Sequence, residues 1–183
     1  MNSAATGRRV AFLVANEGVE EVELTAPWKA VASAGGSPVL IAPKAGVVQA
    51  FNHLDRGHTF TAAESTGLAD PDAFDELVLP GGVANPDQLR LDRSAVEFIR
   101  RFAGSTKPIA AICHGSWTLV EADVVRGRRM TSWPSLQTDL RNAGAEWVDE
   151  PLVECTNGPG PLISSRNPDD LKLFCESVVR HLG

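Results

Sequence analysis

Cys113 and His114 stand at the end of an apolar run, Pro108-Ile109-Ala110-Ala111-Ile112, and are followed by Gly115-Ser116-Trp117. A buried strand that ends on a cysteine and turns at once into a helix presents the thiol to a helix N-terminus and to converging backbone N–H groups. Both favour a thiolate and the binding of an oxyanion. Ala111 and Gly115, two residues before and two after, make the segment a cysteine counterpart of the Gly-x-Ser-x-Gly elbow, where bulky neighbours would clash. A neighbouring histidine suits a Cys–His ion pair that supplies thiolate at neutral pH, although consecutive side chains usually diverge. The plainer reading of Cys113 is a small buried hydrophobe, and the local residues leave both readings open. Gly81-Gly82 is likewise either a tight turn or part of an oxyanion site. Glu17, Glu20, Glu21 and Glu23 suit the positive end of a first helix whatever else they do.

The elements that would position these residues follow from hydrophobic periodicity. Residues 10–15 form a continuous apolar run, as expected of a strand buried on both faces of a parallel sheet. Residues 19–34 carry helical spacing that stops at Gly35-Gly36, and residues 39–42 make a second strand. The weakly periodic stretch 43–69 reads as a hairpin or excursion. Residues 77–79 give a strand before Pro80-Gly81-Gly82, and one helix is expected over 87–103. After the strand at Ile109 come helices over 115–121 and 134–142, and short strands at 146–148, 152–155 and 162–165. A terminal helix over 168–182 carries an apolar stripe through Leu171, Phe174, Val178 and Leu182. Alternating strands and helices predict an α/β three-layer sandwich, flavodoxin-like, with a mostly parallel central sheet and helices on both faces. Ligand sites in such sheets lie beyond the carboxyl ends of the strands, where Glu17 to Glu23, Gly81-Gly82 and Cys113-His114 converge.

The 183 residues fit one domain, with residues 1–7 expected to fray. A formal net charge of −6, with Arg126-Gly127-Arg128-Arg129 as the one basic run, argues against nucleic-acid binding. Three cysteines at 113, 155 and 175 make no disulfide framework and lack metal-ligand spacing, which suits a reducing cytoplasm. Cys155 and Cys175 read as structural. No signal peptide or membrane-length apolar window is visible, so neither membrane contact nor export is expected. His53, His58 and His181 carry no motif, with His58 the one candidate neighbour of the pocket. Trp117, Trp133 and Trp147 read as packing residues, Trp133 with a place in the pocket wall.

Together, Val10-Ala11-Phe12-Leu13, Glu20-Glu21-Val22-Glu23, Leu77-Val78-Leu79-Pro80-Gly81-Gly82, Ala111-Ile112-Cys113-His114-Gly115, Thr131-Ser132-Trp133-Pro134, 142–149 and Ser164-Ser165-Arg166 resemble the PfpI family of the class I glutamine amidotransferase-like superfamily. The resemblance extends over nearly the whole chain and implies a single PfpI-like domain, with Cys113 as nucleophile and His114 as its base. Glu23 would hydrogen-bond the sulfur with a raised pKa, and the Gly82 and His114 N–H groups would form the oxyanion hole. Peptidase-type members add an acidic residue shortly after the Gly-Gly turn, given across a subunit interface. Here that residue is Asp87, a departure, since the family often has a glutamate one residue closer. The resemblance further implies a homo-oligomer, no cofactor and no metal. Its members act as intracellular peptidases, glyoxalases, deglycases or stress proteins. Expected substrates are therefore small carbonyl compounds, glycated proteins or peptides. The competing expectation is a stress protein that senses oxidants through Cys113 or acts as a chaperone.

Overall fold

The computed structural model describes residues 5–183. In chain order the strands and helices are β1 (Arg9–Leu13), β2 (Glu17–Glu20), α1 (Glu21–Ser33), β3 (Ser37–Ala42), β4 (Gly46–Asn52), β5 (Asp55–Ala62), β6 (Glu64–Ser65) and β7 (Glu76–Leu79). They continue with α2 (Ala84–Leu89), α3 (Arg93–Ala103), β8 (Ile109–Ile112), α4 (Ser116–Glu121), β9 (Arg129–Met130) and α5 (Gln137–Asn142). The chain closes with β10 (Glu146–Trp147), β11 (Leu152–Cys155), β12 (Leu162–Ser165) and α6 (Leu171–His181).

Seven strands form the central sheet in the order β11-β12-β8-β7-β1-β3-β6. Every pair is parallel except β11 with β12. Alternate residues of the middle strands feed two cores, as the two-residue period of a strand requires. Ala11, Leu13, Leu77, Leu79 and Ala111 pack with Phe98, Ile99 and Phe102 of α3, Leu119 of α4 and Leu140 of α5. Val10, Phe12, Val78, Ala110 and Ile112 pack with Leu24 and Val31 of α1 and Phe174 and Val178 of α6. The molecule is thus the expected flavodoxin-like sandwich, with helices on both faces of a mostly parallel sheet.

Several boundaries differ from the periodicity. Residues 17–20 are a strand, not the opening turn of α1, because β2 pairs with β4, which returns against β5 in the hairpin expected between 43 and 69. The helix expected over 87–103 is two helices, since the Asp92 side chain accepts from the Ala95 N–H and caps a new start at α3. Of the tail expected to fray, residues 1–4 lie outside the described residues, while Ala5–Gly7 form a turn that buries Ala5 and closes with the Arg8 N–H on the Ala5 carbonyl at 3.1 Å. Among the described residues no helix is long and apolar enough to cross a membrane.

A buried carboxyl is left without partners at the start of a core strand. Glu76, which opens β7, is fully buried, and neither carboxyl oxygen has a hydrogen-bond partner. Burial holds its carboxyl well above the usual range.

Candidate active site

The carboxyl ends of β8, β7 and β1 lie side by side, and the functional groups stand on the loops they release. After Ile112 the backbone turns sharply. Cys113 has φ +60°, a left-handed conformation that only a local constraint holds in a residue with a side chain. That turn makes two consecutive side chains meet, and Cys113 Sγ lies 3.2 Å from His114 Nδ1. The imidazole is in turn fixed by aromatic contacts, stacked on Trp133 with ring centroids 5.6 Å apart and edge-on to Trp117 at 5.5 Å. The Trp133 N–H donates to the Cys113 carbonyl at 3.1 Å, tying the loop after β9 to the elbow.

Glu23 arrives from the first turn of α1 and is fully buried. Its Oε2 accepts the Gly81 N–H at 2.8 Å, while Oε1 has no partner of its own and the carboxyl hydrogen-bonds the Cys113 sulfur. This packing requires glycine at 81. A Cβ there would lie 2.5 Å from Glu23 Oε2 and 2.8 Å from the Cys113 Cβ. Gly82, at φ +86°, occupies backbone space open only to glycine and aims its N–H at the sulfur, as does His114. Asn85 holds this turn in shape. Its amide donates to the carbonyls of Pro80 at 2.9 Å and Gly81 at 3.0 Å, and its oxygen accepts the Ala15 N–H at 2.7 Å.

Burial governs the charges. It pushes the Glu23 carboxyl up to about 8, against the pull of the Gly81 and Cys113 hydrogen bonds. It lowers the His114 imidazole to about 4. The Cys113 thiol is raised by burial and by the charge Glu23 would carry if ionised, and is pulled back by the His114 and Gly82 N–H groups. At neutral pH the resting set is therefore a thiol, a neutral imidazole and a carboxylic acid, where the sequence suggested a thiolate–imidazolium pair. The reason is burial, which disfavours the charged form of each group. Cys113 itself is only 6% accessible.

The structure brings Cys113, His114, Glu23 and Gly82 to one cavity of about 170 Å³, where Glu20, Val83, Trp133 and Pro168 complete the walls. Asp87 does not join them. It sits exposed on α2, and no hydrogen bond or ion pair links it to His114 within the chain. The pocket's second histidine is His53, at the turn from β4 to β5, whose N–H donates to Glu20 Oε2 at 3.0 Å. His58 instead pairs with Glu21 at 2.7 Å on the outer face. The positioning roles of Gly81 and Asn85 are not evident from the sequence, where the Gly-Gly pair and the following Asn-Pro are the signal available.

Among the described residues, no cluster of His, Cys, Asp and Glu could hold a metal ion.

A flavodoxin-like sandwich with a cysteine at the elbow after β8, a histidine beside it and a buried glutamate against the sulfur defines a recognisable class. The chain belongs to the DJ-1/PfpI family, whose model matches residues 8–181. It is 38% identical over 174 residues to a deglycase of Pyrococcus abyssi, covering 95% of this chain and 99% of that one. It is also 38% identical to protein/nucleic acid deglycase 2 of Escherichia coli, over 96% of this chain and 98% of the relative. Among solved structures it superposes with a TM-score of 0.87 and 32% identity on a two-domain protein of Anabaena variabilis containing DJ-1/ThiJ/PfpI-like and ferritin-like domains. That match covers 96% of this chain and 48% of the other. Both of these relatives are named deglycases.

Proposed function

We propose that the protein is a cysteine-dependent hydrolase of the deglycase and glyoxalase kind, acting on reactive carbonyl compounds and the adducts they form on proteins. The observation that carries this reading is Cys113 Sγ held 3.2 Å from His114 Nδ1 and against the buried Glu23 carboxyl. Deglycase relatives at 38% identity over nearly the full chain support the substrate class.

For methylglyoxal the chemistry runs without a cofactor. His114 takes the thiol proton as the sulfur adds to the aldehyde carbon, forming the C–S bond of a hemithioacetal. The N–H groups of Gly82 and His114 hold the developing oxyanion. Transfer of the proton on that carbon to the adjacent carbonyl carbon, with neutral Glu23 giving its proton to the ketone oxygen and recovering one from the His114 imidazolium, gives a lactoyl thioester. Water then cleaves the C–S bond, releasing lactate and the thiol. The same addition to an amide carbonyl would give peptide hydrolysis.

Multiple-turnover consumption of methylglyoxal with lactate detection tests the reading. Many turnovers that vanish in Cys113→Ser support it, whereas equal consumption by that variant removes it. The second reading, redox sensing in the cytoplasm, rests on the neutral Glu23 carboxyl, which is placed to hydrogen-bond an oxidised Cys113 oxygen. Single, stoichiometric reaction of Cys113 with peroxide and no carbonyl turnover would favour it. The homo-oligomer and a role for Asp87 across its interface belong to the same proposal, and size measured in solution checks the first.

A further inference from the structure

At the opposite end of the sheet from Cys113, a cavity of about 400 Å³ opens between the end of α3, the segment after α4 and the loop joining β11 to β12. Its position follows from register: Leu162 pairs with Ile109 at the start of β8, whereas Cys113 follows the end of that strand. Arg100, Asp123, Arg126, Arg128, Asn157 and Gly158 are among its walls. Three arginines against one aspartate give these residues a net charge of +2. Arg126 and Arg128 belong to the basic run that the Cys113 chemistry leaves unused.

Arg128 is the telling residue. It is 91% buried, being 9% accessible, yet no carboxylate pairs with it among the described residues. Its Nη2 donates to the carbonyls of Cys155 at 2.9 Å and Gly160 at 2.8 Å, and its Nε has no partner at all. A guanidinium stays charged in any protein, and a buried charge without a counter-ion is costly. The loop is shaped around it, since Gly158, at φ +145°, leaves room for the guanidinium that a Cβ would displace. Its field also reaches Cys155. Burial raises that thiol, but the N–H groups of Asn157 and Arg129 together with Arg128 outweigh burial and lower it. Arg126 is exposed and forms no ion pair among the described residues, and it packs over Gly144, where a Cβ would lie 3.0 Å from its Nη1. Arg100 stands at the rim, paired 3.0 Å from Glu97 on the surface.

We propose that this cavity binds a phosphoryl group, carried by inorganic phosphate or by a small phosphomonoester, with Arg128 and Arg126 as its donors. A group with nearly two negative charges suits Arg126 and Arg128, the two guanidiniums left without a carboxylate partner among the described residues once Arg100 pairs with Glu97. Planar guanidinium forks suit its oxygens. A monocarboxylate would neutralise only half of that charge.

The test is calorimetric titration and thermal denaturation of the full chain with inorganic phosphate and with glycerol 3-phosphate, at ionic strength held constant with chloride. Saturable binding that raises the melting temperature is expected. Arg126→Gln, at an exposed position, should weaken it about tenfold while leaving alkylation of Cys113 unchanged. Tighter binding of glycerol 3-phosphate assigns an organic ester, and equal binding assigns free phosphate. Absence of a response beyond chloride at millimolar ligand, or unaltered affinity in Arg126→Gln, overturns the proposal.

Discussion

Gly81 donates its backbone N–H to Glu23 Oε2 at 2.8 Å, joining the turn after β7 to a helix 58 residues earlier in the chain. The contact fixes the carboxyl against the sulfur and leaves no volume for a side chain at 81. Gly81→Ala should therefore cost roughly a hundredfold in carbonyl turnover, since a displacement near an ångström at reacting groups has that size of effect. The variant's circular dichroism should match the native protein's, and retained turnover would separate Gly81 from the chemistry.

The opposed perturbations at the site set a pH window. His114 must be neutral to accept the thiol proton, which holds above its value of about 4, and Glu23 must be protonated to donate, which holds below its value of about 8. A plot of kcat/KM against pH should rise through the first and fall through the second. In Glu23→Gln the alkaline fall assigned to Glu23 should disappear along with most of the rate. An unchanged alkaline limb would mean that another group produces it.

Glu23 also ties stability to pH. Its folded value lies above its ordinary value of 4.5, so the folded state holds the proton more tightly. Its favourable contribution is complete below pH 4.5 and is lost as the pH rises through about 8. Glu23→Gln removes this dependence and should become progressively more stable than the native protein across that interval. The gain should reach a few kcal/mol, on the order of 1.4 kcal/mol for each tenfold difference in proton affinity between the folded and unfolded chains. Urea denaturation at several pH values measures it.

Glu76 offers a stability test away from the cavity. Both of its oxygens are buried without partners, so replacement by an apolar side chain of similar length removes a desolvation cost. Glu76→Met should raise stability by about 1–3 kcal/mol at neutral pH. A loss of stability would show that the carboxyl is satisfied in solution.

Much of this architecture was legible because buried parallel strands are near-continuous apolar runs, and residues 10–15, 77–79 and 109–112 could be nothing else. The elbow was legible for the same reason, as the run breaks on Cys113-His114-Gly115. Residues 17–20 were not. Their glutamates look like a helix start, and the pairing of β2 with β4, which sets Glu17 beside Gln49 and Glu20 beside Phe51, overrides that local preference. Nor could sequence decide the protonation of the site. Cys113 and His114 are adjacent in any conformation, but whether they hold charge depends on burial by Trp133 and Glu23 from elsewhere. Asp87 illustrates the remaining limit, because a role across a subunit interface depends on a partner surface that one chain's sequence does not describe.

The neighbouring positions of β1, β7 and β8 in the sheet have a kinetic consequence. Glu23, Gly81 and Cys113 come from segments far apart in the chain, and β12, among the last strands made, closes the flank of β8. Parallel pairings of this separation close long loops before they gain contacts, which slows folding. The geometry around Cys113 is then among the last features to assemble, and recovery of its reactivity in a refolding experiment reports completion of the whole sheet.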